Sequence, residues 1–198
     1  MTKPLVVSRE TVLPVSIEDC FYQTGADEID YPVDSPERFT LEGFVVSAAQ
    51  WVENYTGRTI VGTVFEFALD SFPLAGGEIR LPVTPFIELV SIAYDDLSGE
   101  VQTFDLSLVD VDGRGDMLRI VPEAGWPIAQ KKFNAVRVRV RAGYVAGEDN
   151  NLPAPLRIPI LLLVKHYRDN ASALSPVDLK AIPMGVESHC DQYRVDWL

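Results

Sequence analysis

The stretch that decides the fold is Ser35-Pro36-Glu37-Arg38-Phe39-Thr40-Leu41 and its continuation through Trp51-Val52-Glu53-Asn54-Tyr55-Thr56-Gly57-Arg58. Ser35 is a helix N-cap residue, and Pro36 fits the first helical position, where a missing N–H costs nothing. Leu41, Val45, Ala48, Val52 and Tyr55 then recur at spacings of four, three, four and three. That spacing draws one apolar stripe along a helix over 36–55, widened by Phe44 and Trp51, with Glu42, Gln50, Glu53 and Asn54 off it. Gly57 supplies the left-handed residue that closes such a helix. A helix this apolar needs a partner. The other strongly apolar stretch is Leu156 to Tyr167, about a hundred residues downstream, with Leu161 and Val164 as its core positions. Leu161 to Val164 is apolar on all sides, which predicts a central helix. Pro159 would cost about 3 kcal/mol in a helix interior, so this helix is expected to start near Arg157 and run to 170.

Between the two helices the apolar period changes to two. Thr63–Leu69, Ile79–Leu81, Phe86–Tyr94, Val101–Val109, Met117–Val121 and Ala135–Ala142 read as six short antiparallel strands. Turns rich in Gly and Asp separate them, which suggests a sandwich or barrel. Val15–Tyr22 reads as a short helix capped by Ser16, with Phe21 and Tyr22 facing inward. Residues 1–14 show no period and are expected to form an arm, and a last helix is expected over 184–193. The expected class is α+β. A small helical bundle (near 16–22, 36–55, 157–170 and 184–193) is built from 1–58 and 146–198, and an antiparallel β lobe is inserted over about 60–143, bounded as a domain by 59–145.

The 198 residues carry 29 acids and 17 bases, a net charge of −12. Such a chain lacks the basic footprint needed to grip a nucleic acid backbone. No apolar run approaches the length of a membrane span, and the first residues lack the apolar core of a signal peptide. Cys20 and Cys190 cannot build a disulfide framework, and two free thiols fit a reducing cytoplasm.

The residues point to few chemistries. His166 lies near Asp169, a pairing that could bind a metal, serve as a general base or hold a structural histidine. Ser188-His189-Cys190-Asp191 groups nucleophile types, but triads are assembled in space rather than by adjacency. Asp110, Asp112 and Asp116 resemble a calcium loop in which Gly113 comes too early. Catalytic residues, a metal site and a cofactor are therefore not expected. Arg137, Arg139 and Arg141 alternate with Val136, Val138 and Val140, so the guanidinium groups share one face. That face is a solvated basic strip, a rim for acidic groups of a neighbouring subunit such as those near Asp95 and Asp96, or a phosphate contact. Trp197 and Leu198 either fold back on their own subunit or anchor a partner.

A resemblance adds to this. Ala48–Arg58, Leu69-Asp70-Ser71-Phe72-Pro73, Ile79-Arg80-Leu81-Pro82, Ser91–Asp96, Ala142-Gly143-Tyr144, Ile160–Tyr167 and Ile182–Val186, in that order, resemble the head–tail connector (adaptor) proteins of long-tailed bacteriophages and gene transfer agents. The likeness spans roughly residues 15 to 194. It implies a structural protein of a particle neck, a homo-oligomeric ring of typically twelve copies attached to the portal protein. It implies helices at 36–55 and 157–170 that line and brace the ring, and a portal-docking segment of Tyr193, Arg194, Val195, Asp196, Trp197 and Leu198. A stopper or other neck or tail protein would lie beyond the ring. DNA would pass through without specific binding, no membrane would be involved, and assembly would occur in the bacterial host cytoplasm. A stopper-type neck subunit and an unrelated β-sandwich binding module or enzyme are the competing readings.

Overall fold

The computed structural model describes residues 4–144, 151–170 and 184–195. They form helices α1 (Ile17–Thr24), α2 (Pro36–Thr56), α3 (Ala154–Asp169) and α4 (Met184–Asp191). Eight strands accompany them: β1 (Leu5–Arg9), β2 (Thr63–Leu69), β3 (Ile79–Leu81), β4 (Phe86–Asp95), β5 (Val101–Thr103), β6 (Val109–Asp112), β7 (Leu118–Pro122) and β8 (Val136–Ala142). The class is α+β. The described residues divide into a helical unit, Thr11–Val61 with Tyr144 and the described residues after it, and a β unit, those up to Glu10 with Gly62–Gly143.

In the helical unit the caps are as the sequence reads. The Ser35 hydroxyl accepts from the Arg38 N–H at 3.1 Å, and Ser16 accepts from Asp19 N–H at 3.0 Å. Gly57 closes α2 at φ 72°. Leu41, Val45, Ala48, Ala49 and Val52 of α2 bury against Leu156, Ile160, Leu163 and Val164 of α3. Ile17, Cys20 and Phe21 of α1 and Val186 and Cys190 of α4 complete this core. Full burial of one Leu or Val contributes about 1.5–3 kcal/mol, so the α2–α3 seam dominates the unit's stability.

Several expectations are corrected. Helix α3 begins at Ala154, before Arg157, so Pro159 lies inside it. Pro153, extended at φ −57° and ψ 139°, caps the helix, and its carbonyl accepts from the N–H groups of Leu156 and Arg157. Starting there seats Leu156 and Ile160 fully in the core, which offsets the hydrogen bond lost at Pro159. Helix α3 is also not buried all round. Val164 is buried, but Leu161 is only half-buried and Ile158 is exposed, because the unit covers one stripe of α3 rather than its circumference. Tyr55 likewise packs at the rim of the core, stacked on Trp51 at 5.0 Å. Tyr22 points into solvent while Phe21 is buried.

The β unit holds two antiparallel sheets, a five-stranded one ordered β1-β2-β8-β4-β5 and a three-stranded one ordered β3-β7-β6. Both feed one core, with Phe67, Ile92, Val136, Val138 and Val140 from the larger sheet and Ile79, Leu81, Leu118 and Ile120 from the smaller. The arrangement is an open sandwich rather than a closed barrel, since β1 and β5 remain as edges of the larger sheet. The expected arm is strand β1, paired to β2 from Leu5↔Glu66 to Arg9↔Thr63. The expected strand over 101–109 is broken by a turn of 3₁₀ helix at Leu106–Leu108 into β5 and β6, which join different sheets.

Candidate interaction surfaces

Strand β8 sets the first surface. Its valines are fully buried and its arginines all leave by the opposite face. Register then decides their partners. Arg139 lies opposite Glu66 of β2 and bonds it at 2.7 Å. Arg141 meets Glu88 of β4 at 3.4 Å and also Glu10. Arg137 holds the Asp95 carboxylate with both terminal nitrogens, at 3.0 and 2.8 Å, and Lys132 joins from the other side at 2.8 Å. These charges are thus answered within the chain. Asp95 is buried, and its carboxylate is met by Arg137 and Lys132 of its own chain. Arg137 and Lys132 hold its carboxyl well below the usual carboxylate range. Asp96, the next residue, is tied into the β4–β5 turn. It accepts from the Ser98 hydroxyl, the Gln102 amide and the N–H groups of Glu100 and Ser98, which lowers its pKa to about 2. A shallow cleft of about 630 Å³ runs over this face, lined by Glu66, Asp95, Lys132, Arg137 and Arg139 among others.

A second surface was not anticipated from the sequence. The loop from Glu123 to Asn134 is fastened at several points. The Trp126 indole donates to the Gly77 carbonyl at 2.7 Å and stacks on Phe72 at 4.9 Å. Gln130 N–H donates to the Asp95 carbonyl at 2.7 Å, and Asn134 N–H to the Asp70 carboxylate at 2.9 Å. So tethered, the loop holds Ile128 (74% exposed) and Phe133 (85% exposed) outward. Phe133 between two lysines and Asn134 is the signal that could have been noticed, since an aromatic there has no strand alternation to bury it.

The described part of the C-terminal segment packs on its own chain. Val195 is buried, and its N–H donates to the Thr56 carbonyl at 2.8 Å. Arg58 donates to the Tyr193 carbonyl at 2.6 Å and lies over the Tyr193 ring, while Arg194 lies over Tyr55. Tyr193, Arg194 and Val195 therefore clasp the end of α2 within one copy of the chain. Asp196, Trp197 and Leu198 lie outside the described residues.

The remaining clusters resolve into structural contacts. Asp169 pairs with Lys165 at 3.3 Å, and Asn170 donates to the His166 carbonyl at 2.7 Å. Along α4, Cys190 turns into the core, where burial pushes its thiol up to about 11, while Asp191 accepts from the Tyr55 hydroxyl at 2.7 Å. Asp112 accepts from the N–H and the side chain of Arg114, at 3.2 and 3.0 Å. Among the described residues, no group of three His, Cys, Asp or Glu side chains could hold a metal ion, and no helix is long and apolar enough to cross a membrane. Glu53, read as off the stripe of α2, is instead buried and accepts from the N–H groups of Ile60 at 2.7 Å and Val61 at 3.2 Å.

No protein-family model matches the sequence, and no curated protein matches it. Solved structures do. A chain in the virion of a native gene transfer agent particle superposes with TM-score 0.76 at 18% identity, over 100% of this chain and 97% of the other. The chain has the fold of a gene transfer agent particle component. A chain in the neck of an empty particle, computed with C6 symmetry, gives 0.75 at 18% identity, and one in the neck of a native particle, computed with C12 symmetry, gives 0.69 at 19%. Both cover 100% of this chain and 97% of theirs.

Proposed function

We propose that this protein is a structural adaptor of the neck of a phage-like particle such as a gene transfer agent. It forms a ring, of twelve copies, that attaches to the portal vertex and passes DNA through its channel. The observation that carries this reading is the fold likeness over the full length of both chains, helices and sheets together, to chains of the virion and its neck. The C12 and C6 symmetries of those neck structures favour a ring. The role is structural rather than catalytic.

In this reading α2 and α3 brace the ring. Asp196, Trp197 and Leu198 carry the portal contact, since Tyr193 to Val195 are engaged on their own subunit. The fastened loop with Ile128 and Phe133 is the face of the β unit that meets the next neck component. Apolar anchors already held in place lose little freedom on binding, which favours such a role. Particles assemble in the host cytoplasm.

The test is electron microscopy of the purified full chain mixed with the portal protein of its own particle. A ring stacked on the portal is expected. Absence of a ring, or attachment only to a tail-side partner, overturns the adaptor reading, and the second result favours a stopper-type subunit.

A further inference from the structure

Among the described residues, strand β1 pairs with β2 alone and stands at the edge of its sheet. Leu5, Val6 and Val7 are all exposed, on a strand without proline, and its outer backbone groups face away from β2. Natural edges are commonly blunted by charge, proline or a cover, because unpaired N–H and C=O groups template pairing with another chain. This one carries a bulge between Val6 and Ser8 and a charge at Arg9, while Leu5 to Val7 carry none. At the far side of the same sheet, β5 is the other edge, three residues long and exposed throughout.

Three relations connect the two edges. Each neighbouring pair in the sheet is antiparallel, and four such steps separate β1 from β5, so the two edges run in the same direction. Leu5 pairs with Glu66, and Glu66 with Arg139, so Leu5 projects on the arginine face of the sheet. Val101 pairs with Asp95, the partner of Arg137, and projects on that face as well. Each edge thus ends in an exposed apolar side chain on the same face, Leu5 at 63% and Val101 at 64%.

We infer that β1 of one copy joins β5 of the next in parallel, so that the five-stranded sheets of neighbouring copies run on into one another. This inference rests on the ring proposed above. A cyclic assembly needs a heterologous contact, in which two different patches of the same chain meet, and two unlike edges of one sheet are such patches. A copy displaced sideways around a ring axis keeps its strand sense, which matches the parallel relation of β1 and β5. Strand addition of this kind takes affinity from main-chain hydrogen bonds and register from alternate side chains. Leu5 lies in the row of Ser91 and Val101 in the row of Asp95, four residues further along β4, so neighbouring copies are staggered by about 13 Å along the strands to set Leu5 beside Val101 as the side-chain contact. Because β5 offers only three residues, the join is short, and it forms when another contact already holds the copies side by side.

The test is a cross-link on the assembled ring. Leu5→Cys and Val101→Cys are combined in the full chain, which is mixed with the portal protein and treated with a short bis-maleimide. Native Cys20 and Cys190 are buried, with thiols pushed up to about 12 and about 11, and stay silent. The expected result is a ladder of dimer, trimer and higher species from the double variant, and monomer from either single variant. Dimers from Leu5→Cys alone would mean that like edges meet, and would overturn the inference. Portal-bound rings without a ladder would overturn it and leave the ring reading standing. Absence of both rings and ladder would remove the ring reading and the inference together.

Discussion

A single turn residue shows how local geometry becomes a pH dependence. Asp96 collects the Ser98 hydroxyl, the Gln102 amide and two backbone N–H groups, which favour its ionised form and lower its pKa to about 2. An unfolded aspartate titrates near ~3.9. Because the folded value is the lower one, Asp96 stabilises the fold fully above about pH 4, and that contribution is lost as pH falls toward about 2. Asp95, held low by Arg137 and Lys132, acts in the same direction. Urea midpoints should therefore drop between pH 7 and pH 3. Asp96→Asn should be less stable than the parent at pH 7 and show a smaller drop, and an equal drop would show that the turn does not carry the effect. The common face of Arg137, Arg139 and Arg141 follows from alternation alone and can be read off Ala135–Ala142. Their partners cannot, because Glu66, Glu88 and Asp95 reach them through strand register set by residues far away in the chain.

At the scale of elements, legibility followed amphipathicity. Helix α2 is written by its caps and its stripe, and the structure departs from that reading at Glu53. A carboxylate in the penultimate turn looks solvent-facing by period. Yet the chain reverses after Gly57 and brings the Ile60 and Val61 N–H groups onto it, a contact seven and eight residues away that no periodicity contains. Hydrogen bonds to a charged acceptor contribute about 1.5–3 kcal/mol, and removing the acceptor leaves buried donors unpaired. Glu53→Ala should thus cost about 2–3 kcal/mol in equilibrium urea unfolding, and Glu53→Gln, which keeps an acceptor oxygen, clearly less. Equal stability of all three would mean that the turn after α2 finds other partners. Strand β1 was illegible for the opposite reason. An edge strand exposed on both faces has no alternation to display, so Leu5–Arg9 reads as an arm until β2 is present to pair it. Helix α3 was legible in existence but not in start, because three prolines within seven residues, at 153, 155 and 159, compete for the first turn.

Across the whole molecule, two features were open to reading: the closure of two distant apolar helices on one another, and the excess of acid. The first is seen in the shared core of α2 and α3. The second carries a consequence for DNA. Net charge of −12 places repulsion between the chain and a phosphate backbone, and the arginines that could have countered it are neutralised by Glu10, Glu66, Glu88 and Asp95. A basic protein binds duplex by releasing condensed counterions, so its affinity falls steeply with salt, and non-specific binding sits near 10⁻⁴–10⁻⁶ M at physiological salt. This chain has no counterions to release on that scale. Its affinity for random duplex is expected to be weaker than about 10⁻⁴ M even at low salt. Fluorescence anisotropy of a labelled duplex, titrated with the protein at low and then at physiological ionic strength, measures this. A channel that DNA must slide through is served by weak contact, whereas a clamp requires the reverse. Micromolar binding that weakens as salt is raised would show cations free on the surface, and would replace the sliding channel with a grip.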